Sequence, residues 1–435
     1  MGKAALPMAQ AAVEVLHQHD SEPLGGIIVA PAAGPSPSPS LKVVVGDHPE
    51  PGPGSFTAAE ALARVVTQVG SGQEVWVLLS GGTTSLIGAP VPGIAPTDLA
   101  TLYQLLLGSG LDIAAMNRIR KRFSRWGAGR LAHALAPARV RVLVVSDVIG
   151  DDLASIGSGP CVPDPSTAVQ VRQLLEGAGL WQRIPAAARK YLADVEAGTM
   201  TETPKPGDQA FANVTLELIA SNRLALEAAA KRAAELGLAP VVAETPLAGE
   251  AATAGASVAA TLLHNCGRYS IPQPEELRAS GGPKVGAPRQ PEELRANRGV
   301  QVGAPGQPEK LRAGGRCWIW GGETTVTLGS STGVGGRCQE LALAAARALA
   351  GRAPGTALLA AGTDGRDGPT DAAGAIVDGS TWGAIAAAGR DPARDLASHN
   401  AYPALDAVGA LLRPGLTGTN VMDVVMGVCL ESSEK

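Results

Sequence analysis

One pattern recurs along this chain and restricts its fold more than any other. A short apolar run, rich in β-branched residues, ends abruptly in glycine, serine or threonine, and often aspartate. Val75–Leu79 empties into Ser80-Gly81-Gly82-Thr83-Thr84-Ser85. Val140–Val145 empties into Ser146-Asp147, then Asp151, Asp152 and Gly157-Ser158-Gly159-Pro160. Cys317–Trp320 ends in Gly321-Gly322-Glu323, and Thr356–Ala361 opens onto GTDGRDGPTDAAG. Runs without polar alternation are strands covered on both faces, as in parallel sheets. Helical stretches separate them, at Ala4–Gln18, Phe56–Val69, Thr97–Leu107, Asp112–Leu135 and Ser221–Leu236. The expected class is α/β, in two domains, each a mostly parallel sheet flanked by helices. Polar loops at the carboxyl ends of such strands are where these sheets bind ligands.

Composition supports this class. Hydrophobic residues are 45% of the 435 and aromatics 3%, so the apolar share is mainly Ala, Val and Leu. The net charge is −4 and no long basic run occurs, which argues against a nucleic-acid partner. No apolar stretch approaches the ~20 residues of a membrane span. The five cysteines are odd in number and lack CxxC spacing. That favours a reducing compartment and disfavours zinc or a disulfide framework. A cytoplasmic protein without a membrane partner is expected.

Residues 266–316 break the pattern. Pro274, Pro291 and Pro308 mark a 17-residue repeat with one leucine per unit. A solenoid needs a continuous apolar stripe, and this segment has none. It reads as a disordered insertion between a domain over 1–264 and a domain over 317–435.

The strand ends supply candidate chemistry. The Ser80–Ser85 loop offers backbone N–H groups and hydroxyls, the equipment of an anion cradle, with Gly81, Gly82 and Ser85 as its parts. Ser158 and Gly159 sit in a second glycine-rich turn. Asp147 and Asp151 in one loop, and Asp364, Asp367 and Asp371 in another, suit a Mg²⁺ ion held through few carboxylates and water. Asn117, Arg120 and Ser124 recur at helical spacing on a basic stretch. Arg337 opens a helix, where a cation opposes the dipole unless an anion compensates. Anion cradles, carboxylates and isolated cations together point to phosphoryl transfer, which needs positioning and charge neutralisation. Hydride transfer would want GxGxxG after the first strand, and no clean match exists. His48, just after a strand, is the histidine best placed to face a cleft.

Longer motifs carry a resemblance. They are GKAALPMA at 2–9, DHPEP at 47–51, LLSGGTTSL at 78–86 and NRIRKRFSRWGAGRLA at 117–132. SDVIGDDLASIGSGPCVPDPST at 146–167, GGETTVTL at 321–328 and GGRCQELALA at 335–344 follow. AAGTDGRDGPTDAAGAIVDG at 360–379 and TGTNVMD at 417–423 complete them. On these the chain resembles the glycerate 2-kinase family with its MOFRL domain, formerly called hydroxypyruvate reductase. The resemblance implies an active site in the interdomain cleft. It also implies ATP-dependent, Mg²⁺-supported phosphorylation of D-glycerate to 2-phosphoglycerate. Lys3 and Arg337 become the candidate catalytic cations, and Asn420 a substrate or phosphate contact. Arg120 is expected to steer the acid. A homodimer is compatible with it. The family pattern also carries a strand before GKAA, and departures fall at Thr83, Thr84, Arg122, Gly127 and Cys338. Two alternatives stand beside this reading. One is a hydroxypyruvate reductase. The other is a weak nucleotide-binding remnant, given the absent strand.

Overall fold

The structure, a computed structural model, describes residues 1–266, 315–329, 331–352 and 354–430. The repeat segment, Ser330 of the SSTGVGG turn, and the last five residues lie outside these.

The chain forms two compact units. The first is Met1–Ser221 with Gly418–Val421, and the second is Asn222–Thr417 with Met422–Lys435. The division therefore falls after Ser221, not near residue 264 as the sequence suggested. Apolar runs report that a strand exists, not which sheet takes it.

In the first unit, β1 (Gly26–Ala30) and β2 (Leu41–Val45) pair in parallel. A second parallel sheet orders β3 (Glu74–Leu79), β4 (Arg139–Val145) and β5 (Val214–Ala220) side by side. Val75 pairs with Val140, and Val140 with Val214. Helices α1 (Ala5–Gln18) and α2 (Pro53–Val66) cover this region. Between α1, α2, β1 and β3 lies an apolar cavity of about 620 Å³. The helical stretch read over 112–135 is broken. It forms α5 (Ile113–Phe123) and α6 (Arg130–Leu135), after α3 (Thr83–Leu86) and α4 (Pro96–Leu107). Ser124 is extended and ends α5, and Ala128 and Gly129 then adopt positive φ and re-aim the chain into α6.

The second unit contains α9 (Asn222–Glu235), β6 (Leu238–Val242) and α10 (Ala251–Cys266). These follow α7 (Ala168–Gly177) and α8 (Ala186–Glu196) of the first unit. Beyond the repeat come β7 (Gly315–Gly322), α11 (Arg337–Leu349), β8 (Thr356–Gly362) and β9 (Gly374–Asp378). Three short helices, α12 (Thr381–Ala387), α13 (Pro392–Ala397) and α14 (Ala401–Asp406), precede β10 (Leu411–Leu412) and β11 (Asp423–Leu430).

Their sheet runs β10-β9-β8-β11-β7-β6. Only the β6–β7 pair is parallel, and the other neighbours are antiparallel. The expectation of a mostly parallel second sheet is corrected here. No helix connects β8 to β9, and a parallel crossover needs one. The α/β class itself holds. The core of this unit centres on α11, whose Leu341, Leu343 and Leu349 are buried with Leu262, Trp318 and Val425. Each fully buried leucine contributes ~1.5–3 kcal/mol. After β7 the chain makes one isolated bridge to the segment before α10, Thr325 to Glu250. The cysteines also differ from expectation. Cys266 and Cys429 are paired, and Cys161, Cys317 and Cys338 are buried thiols. Among the described residues no helix is long and apolar enough to cross a membrane.

Candidate functional site

The first cluster begins with the backbone of Met1 and Gly2. The Met1 nitrogen donates to Leu78 O at 2.6 Å, and Ser80 N donates to Met1 O at 3.0 Å. Gly2 N donates to Val29 O at 3.1 Å. These two residues thus pair with β3 on one side and β1 on the other. A side chain at Gly2 would put Cβ 2.2 Å from Ser80 Oγ, and φ is +121°. Only glycine fits. Lys3 N donates to Gly81 O at 2.8 Å, and Ala4 N to Ser80 Oγ at 3.0 Å. The chain is therefore pinned on both sides of Lys3, whose ammonium reaches Asp147 Oδ2 at 3.9 Å.

Asp147 leaves the end of β4 and lies against the Gly81–Gly82 turn. A Cβ on Gly81 would fall 1.7 Å from Asp147 Oδ2, so the carboxylate occupies the space a side chain would take. Burial pushes the Asp147 pKa up, and Lys3 pulls against it. His48 shares this corner. A Cβ on Gly82 would approach His48 Nε2 and Lys3 Cγ, each at 3.2 Å. Burial lowers the His48 pKa, Lys3 lowers it further, and Asp147 opposes both.

The turn itself is stitched internally. Thr83 Oγ1 donates to Ser80 O at 2.8 Å and Ser85 Oγ to Gly82 O at 3.1 Å. Ser85 thus spends its proton inside the cradle. Thr84 and Ser158 share a hydroxyl hydrogen bond of 3.0 Å. Gly157, Ser158 and Gly159 all have positive φ. Their carbonyls are taken by the α5–α6 turn, with Ala128 N on Ser158 O and Gly129 N on Gly159 O, both 2.8 Å. The two glycine turns expected to bind phosphate are one packed structure.

On α5, Asn117 and Arg120 are half-buried and one turn apart. Arg120 lies 5.2 Å over the Tyr103 ring. Its Nε and the Tyr103 hydroxyl are buried without a hydrogen-bond partner among the described residues. Burial pushes the Tyr103 pKa up to about 12. Two of the neighbouring basic residues, Lys121 and Arg122, are buried in ion pairs, while Arg118 is exposed. Lys121 Nζ meets Asp164 Oδ1 at 3.0 Å. Arg122, wholly buried, contacts Asp164 and Glu202 and donates to Ser166 O at 2.7 Å. Asp164 lies in the 146–167 motif but has no signature as a partner of Arg122, and Glu202 lies outside every motif, so sequence reasoning missed both. Asn420 lies in Gly418–Val421, which packs with this first unit.

The second cluster surrounds the start of α11. Arg337 Nε and Nη2 donate to Asp423 Oδ2 and Oδ1 at 2.6 and 2.8 Å, and Nη1 lies 3.0 Å from Glu323 Oε1. Burial opposes the guanidinium charge, and Asp423 and Glu323 outweigh it. The anion required beside this helix start is thus supplied by the chain itself. Asp367 accepts from Cys338 N at 3.1 Å and Gln339 N at 2.8 Å, capping the helix. Burial raises its pKa to about 7 against those two bonds. Gly336 leaves room for it, since a Cβ there would sit 2.3 Å from Asp367 Cγ.

The remaining acids of that loop have other tasks. Asp364 Oδ1 accepts from Arg366 N at 3.0 Å. Asp371 is held by Tyr402 at 2.7 Å and by Arg413 at 3.2 Å. In the first unit, Asp151 has φ +53° in a turn closed onto Val148 O. Among the described residues no three His, Cys, Asp or Glu side chains gather to hold a metal ion. The expected Mg²⁺ set of Asp147, Asp151, Asp364 and Asp367 is therefore not a preassembled cage. One acid pairs with a lysine, one caps a helix and two stabilise turns.

Residues 1–193 match a family model described as a domain of unknown function, DUF4147, and residues 316–423 match the MOFRL family. A glycerate 2-kinase of Pyrococcus horikoshii is 33% identical over 98% of this chain and 86% of its own. A D-glycerate 2-kinase of Thermotoga maritima is 35% identical over 98% of this chain and 89% of its own.

The chain belongs to the glycerate kinase family.

A solved glycerate kinase from Thermotoga maritima has the same fold. Its TM-score is 0.77 at 34% identity, covering 98% of this chain and 90% of that one. Against the glycerate kinase pattern, two departures now have local reasons. At Gly127 a Cβ would lie 3.2 Å from both Ser124 Cβ and Ser158 Cβ, so any larger residue there would push these neighbours by a few tenths of an ångström. At Arg122 the long side chain reaches the buried Asp164 and the half-buried Glu202.

Proposed function

We propose that this chain transfers the γ-phosphoryl group of ATP to the 2-hydroxyl of D-glycerate. The observation that carries the reading is the Lys3–Asp147 pair set on the Gly81–Gly82 turn, at the carboxyl ends of parallel strands. Phosphoryl transfer needs a fixed cation, a backbone cradle and a group to take the hydroxyl proton. Lys3 is the cation. Gly81, Gly82, Ser85, Ser158 and Gly159 build the turns that hold phosphate oxygens. Asp147, with its raised proton affinity, takes the proton as the bond from the glycerate oxygen to phosphorus forms and the bond to the β-phosphate oxygen breaks. Arg120 and Asn117 bind the acid, and Asn420 binds a phosphoryl oxygen. The cytoplasm, where ATP is supplied, is the compartment this reading implies.

The test is an ADP-release assay with Mg²⁺, ATP and a panel of hydroxy acids, with the product identified by phosphorus NMR. D-Glycerate should give the 2-phosphate. NADH oxidation with hydroxypyruvate, without ATP turnover, would reverse the assignment in favour of the reductase. Nucleotide binding by calorimetry with no turnover on any acid would favour the remnant.

A further inference from the structure

Helix α10 lies directly on strand β11. A Cβ at Gly427 would meet Leu262 Cδ1 and Cδ2, each at 2.5 Å, so the missing side chain lets the helix approach closely. From Leu262, four helical residues advance about 6 Å on the same face. From Gly427, two strand residues advance about 6.6 Å, also on the same face. Both steps end at cysteine, Cys266 on α10 and Cys429 on β11. Their Cα atoms are 6.1 Å apart, inside the range a disulfide spans. Both residues are half-buried, whereas Cys161, Cys317 and Cys338 are buried. The pair also has a topological position. The chain leaves for the repeat segment after Cys266 and returns at Gly315, and Cys429 pairs with Arg316, the next residue.

We propose that Cys266 and Cys429 form a reversible cross-link that clamps the base of the inserted segment. The reaction is thiol–disulfide exchange with a low-molecular-weight disulfide such as glutathione disulfide. One thiolate attacks the reagent, forms a mixed disulfide and releases one glutathione thiolate. The second cysteine thiolate then displaces the other glutathione. Two protein thiols are oxidised, one glutathione disulfide is reduced to two thiols, and the two protein protons pass to solvent or the leaving thiolates. In a reducing compartment the pair stays as two thiols, and the clamp closes when the glutathione pool is oxidised.

The experiment uses the full chain with a specific protease site placed between residues 267 and 314. After incubation with glutathione disulfide and an acid quench, two of the five thiols should be lost. After cleavage, the two halves should migrate together without reductant and separate with it. Cys266→Ser and Cys429→Ser should each abolish the link, and Cys161→Ser should not. The oxidised chain should melt roughly 5 °C above the reduced one. Five retained thiols, a link that survives Cys429→Ser, a link only between molecules, or identical melting of both forms would each overturn the proposal.

Discussion

Asp423 grips Arg337 with both carboxylate oxygens, at 2.6 and 2.8 Å. The two residues are 86 positions apart, and the guanidinium that opens α11 is therefore already oriented. A preorganised donor of this kind typically contributes ~10²–10³ in turnover when it meets a developing negative charge. Arg337→Ala is expected to lower kcat by about that factor. It also leaves the nearly buried Asp423 unpaired, which costs about 1–3 kcal/mol. Arg337→Lys should keep the charge but lose the fork, recovering part of the rate. Measuring kcat and Tm on both variants checks this. A structural arginine would lose Tm and keep kcat.

Gly81→Ala tests the contact between the turn and Asp147. The new methyl would enter the space of the carboxylate, so Asp147 must swing away from Lys3. Turnover should fall at least tenfold, by roughly 1.4 kcal/mol in barrier. The pH–rate profile should lose the limb belonging to Asp147. Unchanged turnover would show that this carboxylate is not used.

For a chain that begins at Met1, stability should depend on pH through its amine. Burial lowers that pKa from 8.0 to about 5. The folded state then holds the amine neutral where the unfolded chain binds a proton. The contribution is fully present above pH 8 and is lost as pH falls to about 5, by up to roughly 4 kcal/mol. Melting curves between pH 5 and 8 measure the slope. Extending the chain upstream of Met1 with an apolar segment converts the amine to an amide, and should remove the slope and raise activity. Equal slopes and equal turnover would contradict this.

Deleting residues 270–313 should leave Tm and soluble yield nearly unchanged, because long surface insertions contribute mainly loop entropy. Failure of the deletion variant to fold would contradict that reading.

Much of the fold was legible. The strands over Val75–Leu79, Val140–Val145 and Thr356–Ala361 were visible because a dense apolar run is itself a local signal. The direction of β8 and β9 was not, since it depends on what connects strands and not on the strands. The candidate residues were readable as types but not as partners. Lys3 and Asp147 announce a cation and an acid, and nothing local says that they meet. The anion beside Arg337 was expected to be a ligand and is Asp423. The Arg122–Asp164–Glu202 set had no periodic signature at all. Ion pairs between distant positions need only one suitable residue at each end, and such a residue looks like surface until the chain is folded.

The first two residues join β1 and β3, which among the described residues belong to separate sheets. Met1 pairs with β3 and Gly2 with β1, above an apolar cavity bounded by both. Met1 is buried and lines that cavity together with Ile28, Val77 and Leu78. A purification tag or fluorophore placed there would be a substitution in the protein's interior. Its sequence would then alter melting and activity as a core mutation does.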